Sequence, residues 1–418
     1  IEIEKCLQTI PKNQLKSSDW FAQIGDFGFE GNCEHNVAML IHQLKSIALE
    51  KANNELTIIT TGDNNYEFGD CSSIHANIGQ YYSEFLTKRP SHCVEPVANG
   101  AGKSFNISDG TLPSNHSLLF FPSIGNHDWY RFNDASNISA PYTQYFDYLS
   151  KLSGFDGQYY KTKIGKHNLI EIFALNSNIV GPSKYTNEMF EWLKKSIQSS
   201  TSKYKIVFFH HPPFTTALKD PPSPWMRQPF AEWGVDLVLL GHEHVYERMT
   251  VDNIPYIING LGGHNKVYDL AACTPNPYSK KLYNNQHGAL LGVATDAGVQ
   301  LCFFEALHGT LIDSVTLPLP PPSTPPHAPT RHTKTSSPSA DDSHNSLSAW
   351  RYLWIAVGVF AVLVCAVAVL CFCLGRCVGK KRLSSGDDEE TTPGTIGESD
   401  TASLLHNDAL WKKESFEF

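Results

Sequence analysis

Residues 56–66 read Leu-Thr-Ile-Ile-Thr-Thr-Gly-Asp-Asn-Asn-Tyr. The opening five are apolar or β-branched and show no helical period, so they predict a buried strand. Gly62 and Asp63 close it. The same form recurs along the chain. Trp20 to Asp26 reads WFAQIGD, Leu118 to Asn126 reads LLFFPSIGN, and Leu169 to Asn178 reads LIEIFALNSN. KIVFFHH ends at His211 and VDLVLLGH ends at His242. Between the first two runs, Val37, Leu40, Ile41, Leu44, Ile47 and Ala48 fall at helical spacing, which predicts a helix over about residues 35–52. A second helix is predicted after Asn187, with Phe190, Leu193 and Ile197 inward. Strand and helix alternating in this way is the α/β pattern. Ligands in such folds sit beyond the C-terminal ends of the strands.

That is where the unusual residues fall. Gly25-Asp26, Gly62-Asp63 with Tyr66, Gly125-Asn126-His127-Asp128, His210-His211 and Gly241-His242-Glu243-His244 each close or follow an apolar run. Any one of them reads as a turn or a surface histidine. Five in one domain are hard to take as independent turns. Carboxylate, amide oxygen, imidazole and phenolate together form a ligand set for hard or borderline cations such as ferric iron, zinc and manganese.

Competing motifs fail on spacing. Residues 1–317 contain no Cys-x-x-Cys pair. His242-Glu243 has Tyr246 where a zincin helix needs its second histidine. There is no Gly-x-Ser-x-Gly elbow and no Walker A loop. Gly260-Leu-Gly262-Gly263 lacks the third glycine of a dinucleotide fingerprint. A net charge of −9, from 33 basic and 42 acidic residues, argues against nucleic acid as a structural partner.

Taken in order, GDFG, GDNNY, GNHD, FFHHPP and GHEHVYER resemble the motifs of the purple acid phosphatase family of calcineurin-like metallophosphoesterases. They span residues 25–248, and the tyrosine three places after Asp63 separates this family from the rest of the superfamily. The resemblance implies an α/β fold, a two-sheet β sandwich flanked by helices. It implies that Asp26, Tyr66 and His244 hold a ferric ion. Asn126, His210 and His242 would hold a divalent iron, zinc or manganese, and Asp63 would bridge the two. His127 would face the leaving group. Asp128 would either orient that imidazole or cap a turn. The implied activity is hydrolysis of phosphate monoesters by an acid phosphatase with a metal-bound hydroxide nucleophile. The alternatives are a phosphodiesterase or nucleotide-specific hydrolase, or a non-catalytic sorting receptor.

Physical chemistry supports these roles. Two cations about 3.5–4 Å apart clamp a phosphate and lower the pKa of bound water to about 7. An imidazole at its reference pKa of about 6.5 is mostly cationic at pH 5 and can protonate a departing alkoxide. One departure stands out. The family often carries a further histidine nine or ten residues after the position of His210. Here Phe214 to Arg227 reads FTTALKDPPSPWMR, with Lys219 and Asp220 near the place. His211 and His264 are the candidate substitutes. The segment from Tyr66 to Gly125 is long for a compact connection and reads as a rim insertion.

Outside this domain the chain reads as membrane-anchored. Residues 318–349 are rich in Pro, Ser and Thr and predict an extended stalk. Residues 350–375 predict one C-terminal transmembrane helix, uncharged from Trp354 to Gly375, with Trp350, Tyr352 and Trp354 at its edge. Arg376, Lys380, Lys381 and Arg382 follow it, against Arg351 before it, which places residues 376–418 in the cytosol as a disordered tail. The expected protein is thus single-pass and type I, endosomal, lysosomal or at the cell surface, with its catalytic domain lumenal or extracellular. Ile at position 1 fits a chain whose secretory signal has been removed.

Asn106, Asn115 and Asn137 head glycosylation sequons. Cys6, Cys33, Cys71, Cys93, Cys273 and Cys302 are an even number, as an oxidising space expects, and the sequence does not choose among their pairings. Cys371, Cys373 and Cys377 lie where reversible palmitoylation occurs. Asp400, Leu404 and Leu405 have the form of an acidic dileucine signal for a cytosolic sorting adaptor.

Overall fold

Among the described residues, fifteen strands account for most of the regular structure. The computed structural model describes residues 1–86, 92–97, 100–106, 119–128, 152, 158–178 and 183–318. These lie in the first of two compact units, Ile1–Pro326 and His327–Phe418. The expected stalk beyond Pro318, the span at 350–375, the tail with Asp400, Leu404 and Leu405, and the sequons at Asn115 and Asn137 lie outside the described residues. Among the described residues no helix is long and apolar enough to cross a membrane.

The first sheet runs β15-β14-β13-β1-β2-β5. Here β1 is Asp19–Ile24, β2 is Leu56–Thr60, β5 is Phe120–Pro122, β13 is Gly288–Ala294, β14 is Val299–Glu305 and β15 is Leu311–Leu317. The second runs β12-β10-β11-β9-β8-β7-β6. Its strands are β6 Tyr160–Ile164, β7 Ile170–Ala174, β8 Tyr204–Phe208, β9 Leu237–Leu240, β10 Tyr246–Val251, β11 Ile254–Asn259 and β12 Ser279–Tyr283. Both sheets are mixed. β1, β2 and β5 are parallel in one, and β7, β8, β9 and β11 in the other.

Period-two alternation explains the packing. Ile206 and Phe208 of β8, with Leu237 and Leu239 of β9, join Trp20, Ile58, Phe120 and Leu290 in one apolar core drawn from both sheets. The intervening Val207, Val238 and Leu240 face the other way, into a second core with Met189, Leu193 and Ile197. Strands buried on both faces read as continuous apolar runs, which is why these were visible in the sequence.

Two long helices cover the sheets. The first spans Asn32–Ala52 and buries Val37, Leu40, Ile41, Leu44 and Ala48. It ends where Asn53 turns left-handed at φ 51°, a stop that asparagine tolerates better than most residues. The second spans Lys184–Ser199, four residues earlier than its sequence signal, because Ser183 caps it by accepting the Thr186 N–H at 3.1 Å.

The segment after Tyr66 contains short helical turns between Cys71 and Phe85 and a hairpin of β3, His92–Val97, with β4, Gly100–Asn106. The sequon residue Asn106 ends that hairpin. Cys6 is bonded to Cys302, fastening the N-terminal helix Ile3–Leu7 to β14. Cys71 is also disulfide-bonded. Cys33 and Cys273 are free thiols, so the even count in the sequence does not correspond to a fully paired framework.

Candidate metal centre

Five parallel strands end at one place. Ile24 of β1 leads to Asp26, Thr60 of β2 to Asp63, Pro122 of β5 to Asn126, Phe208 of β8 to His210 and Leu240 of β9 to His242. The chain bends sharply there. Asp26, Asp63 and His242 sit at φ 56°, 53° and 71°, in the left-handed region that costs a non-glycine residue on the order of 1–3 kcal/mol. Such conformations persist only where the surroundings fix them. Gly62 shows how tight those surroundings are. It lies at φ +90°, and a Cβ there would stand 2.5 Å from the His210 ring. A Cβ on Gly125 would meet the Asp63 carboxylate at 2.1 Å.

The side chains converge in two groups. In the first, the Tyr66 Oη lies 3.3 Å from Asp26 Oδ1 and 3.3 Å from His244 Nε2. In the second, Asn126 Oδ1 lies 2.8 Å from His210 Nε2 and 3.1 Å from His242 Nδ1. Asp63 Oδ2 joins the groups, 2.9 Å from the Tyr66 Oη and 3.4 Å from His210 Nε2. All seven metal ligands expected from the sequence are therefore in one cluster.

The histidine tautomers decide what such a cluster can hold. His210 Nδ1 is 2.7 Å from the Thr61 carbonyl, and His244 Nδ1 is 2.8 Å from the Lys266 carbonyl. A carbonyl only accepts, so each Nδ1 carries the proton and each Nε2 turns a lone pair inward. His242 is reversed: its Nε2 faces the Asp220 carboxylate at 3.8 Å, and its Nδ1 points inward. Lone pairs of three imidazoles, an amide oxygen, a phenol oxygen and two carboxylates thus point at shared space. Cations fit such a donor set, and the carbonyls behind the imidazoles are the outer support that metal-binding histidines use.

Protons alone balance the site poorly. Burial would raise the Asp63 carboxyl, but His210 and His127 hold it well below the carboxylate range. Burial would lower His210, but Asp63 lifts it to about 9. Burial, Asp63 and Asp26 push the Tyr66 phenol well above its ordinary value. Burial and the His211 and His210 rings hold His242 well below the imidazole range. A protonated His210 then faces the carboxyl groups of Asp63 and Asp26.

His127 stands at the rim. Its backbone N–H donates to Asp63 Oδ1 at 2.8 Å, and its Nδ1 lies 2.7 Å from the Glu67 carbonyl. Its Nε2 is then turned toward the centre, 4.0 Å from Asp63 Oδ2. Asp128 takes the turn-capping role. It accepts N–H groups from Gly125 at 2.9 Å and from Asn64 at 3.0 Å, and the Asn64 amide at 2.8 Å. Burial and Asp63 push it up to about 7 against those bonds.

The two candidate substitutes for the missing loop histidine lie on opposite sides. His264 is buried against Tyr66, with ring centroids 4.4 Å apart, and its Nδ1 accepts the Lys266 N–H at 3.1 Å. His211 packs 4.5 Å from His242 and 4.8 Å from His210. Sequence reasoning missed the carbonyls of Thr61 and Lys266 and the anchoring role of Asn64. Backbone carbonyls carry no residue signature. Asn64 was readable only as part of the GDNNY motif.

The model of the calcineurin-like phosphoesterase family matches residues 20–246. Purple acid phosphatase 17 of Arabidopsis thaliana is 23% identical over 324 residues, which are 71% of this chain and 83% of that protein. Among solved structures, GAP50, described as the anchor in the inner membrane complex of Plasmodium, aligns over 72% of this chain and 88% of its own, at 15% identity and a TM-score of 0.48. A structure of PhoD aligns over 72% of this chain and 68% of its own, at 15% identity and a TM-score of 0.38.

Proposed function

We propose an activity finer than the family itself: this chain belongs to the calcineurin-like phosphoesterase family, and within it we assign the chain as an acid phosphatase acting on phosphate monoesters. The observation that carries this reading is the inward-facing donor set, seven side chains in two groups that share Asp63. Bound there, two cations would neutralise phosphate charge and lower the pKa of coordinated water. Asp26, Tyr66 and His244 would hold the first, proposed as ferric iron. Asn126, His210 and His242 would hold the second, a divalent iron, zinc or manganese, and Asp63 would serve both.

The chain's own residues then do the following. The carbonyls of Thr61 and Lys266 keep His210 and His244 aimed inward. Asp128 and Asn64 hold the turn that presents Asn126. His127, fixed through Glu67, offers Nε2 on the open side and hands a proton to the leaving group.

Asp220 favours a second reading. Its carboxylate stands beside His242, and a fixed negative charge there opposes a dianionic monoester more than a monoanionic diester. One experiment tests both readings. Metal analysis and a visible spectrum of the purified protein accompany assays at pH 5 with p-nitrophenyl phosphate and bis(p-nitrophenyl) phosphate. Two metals per chain and a preference for the monoester support the first reading. A preference for the diester replaces it with the second, and a metal-free, inactive protein sinks both.

We also propose the topology expected from the sequence: residues 350–375 span a membrane once, and Asp400, Leu404 and Leu405 meet a cytosolic sorting adaptor. The charge asymmetry around the span and the polar sequence around the leucine pair support it. Protease added to intact vesicles should remove the tail and spare residues 1–317. Digestion of the domain instead would reverse the orientation.

A further inference from the structure

The loop that carries a histidine in many relatives of this type has none here, yet the second metal position is flanked by an imidazole. His211 follows the ligand His210 at the end of β8. Its ring centroid lies 4.5 Å from that of His242 and 4.8 Å from that of His210. It touches neither Tyr66 nor His244 in any ring contact of the described residues, so it belongs to the second position. His127, packed 4.2 Å from Tyr66, belongs to the first.

Ser177 fixes His211 twice. Ser177 is buried just beyond β7, and its Oγ accepts the His211 backbone N–H at 3.0 Å. The same Oγ lies 2.9 Å from His211 Nδ1. An oxygen that already accepts the backbone proton has its own hydrogen free to donate to Nδ1. With that hydrogen donated to Nδ1, the ring proton resides on Nε2. One hydroxyl thus contacts both the backbone and the ring of His211.

We propose that His211 is a substrate-binding residue, its Nε2–H donating to a phosphate oxygen on the second-metal side, with Ser177 as the residue that positions it. The proposal rests on the phosphatase reading above. It replaces the loop histidine with one supplied from the strand end itself, where less backbone freedom separates it from the metal ligands. His264 does not serve this purpose, because its Nδ1 is engaged by the Lys266 N–H and its ring is buried behind Tyr66.

The competing role for His211 is that of an additional metal ligand, since one nitrogen each of His210, His211 and His242 lie within 4.8 Å of one another. The test uses the full-length protein and the variants His211→Phe, His211→Gln and Ser177→Ala. Metals per chain are measured by elemental analysis, and inorganic phosphate affinity by calorimetry and by competitive inhibition. A hydrogen bond to a charged group predicts that His211→Phe keeps both metals and weakens phosphate binding about 10-fold or more. His211→Gln should restore a good part of that loss through its amide N–H, and Ser177→Ala should fall between.

Loss of a metal in His211→Phe makes His211 a ligand and overturns the proposal. So does unchanged phosphate affinity, or a Gln variant no better than Phe, which would mean packing alone. Should His211→Phe fail to fold, His211→Gln and Ser177→Ala are scored by the same two measurements. A wild-type protein with neither metals nor phosphate affinity overturns the phosphatase reading itself, which separates that failure from this one.

Discussion

The two halves of the centre differ in chemistry and in exposure. The first position is built from a carboxylate, a phenol and an imidazole, and Asp26, Tyr66 and His244 are all buried. The second is built from an amide and two imidazoles, with no anionic side chain of its own, and Asn126 and His242 are only partly buried. A buried, oxygen-rich, anionic group suits a hard, highly charged ion held without exchange. A nitrogen-rich, more open group without a carboxylate of its own suits a divalent ion that can be lost and regained. The difference teaches how one cluster can divide its work: on the proposed reading, the first position fixes charge and the second, flanked by His211 and by the Asp220 carboxylate beside His242, admits substrate.

Asp63 is the one side chain both positions share, so removing it should do the most damage. Asp63→Ala should leave the protein without either metal and lower kcat by a thousandfold or more, given the several kcal/mol that metal stabilisation supplies at about 1.4 kcal/mol per factor of ten. Elemental analysis checks the first claim and turnover the second. Retention of one full equivalent of metal would mean that the positions are independent and that Asp63 is no bridge. Asn126→Ala sharpens the contrast, because it should deplete the second position and leave the first filled.

Much of this was legible because the strands that end at the site are buried on both faces and therefore read as unbroken apolar runs. Their last residues were exposed to view by the glycines beside them. The helix at Asn32–Ala52 declared its inward face through Val37, Leu40, Leu44 and Ala48. Less was legible where backbone does the work. The carbonyls of Thr61 and Lys266 set two tautomers, and any residue could have supplied them. The Cys6–Cys302 bond joins residues 296 apart, and proximity over that distance is a property of the fold, not of the local sequence. The ion pair of Arg248 with Asp313, at 2.7 and 3.0 Å, ties β10 to β15 across the two sheets and was equally invisible.

His127→Ala should have the next largest effect, and one that leaves metal content intact. A positioned general acid contributes roughly 10²–10⁴-fold, most where the leaving group is a poor one. The expected loss is therefore large for an alkyl phosphate and small for p-nitrophenyl phosphate, whose leaving group needs little protonation. Parallel kcat measurements on the two substrates decide it. Equal losses on both would assign His127 to binding and leave the proton to another group.

The smallest effect on turnover, and the sharpest on the comparison between positions, belongs to Tyr66→Phe. The phenol oxygen lies 2.9 Å from Asp63 Oδ2 and 3.3 Å from both Asp26 Oδ1 and His244 Nε2. Its ring is held by His264 and His127 at 4.4 and 4.2 Å. A phenylalanine keeps the ring contacts and deletes only the oxygen, so the fold should survive with a thermal midpoint lowered by a few degrees at most, the scale of a lost hydrogen bond of about 1 kcal/mol. If a ferric ion occupies the first position, the wild-type protein should be purple or pink from phenolate-to-iron charge transfer, and the variant should be colourless at equal iron content. If the wild-type protein is active, colourless and contains only zinc or manganese, the first position is not a ferric site. Asp26, Tyr66 and His244 would then serve a divalent ion. A variant that keeps the band would instead show that the phenolate comes from another tyrosine, with Tyr268, stacked on His244 at 4.5 Å, the next to test.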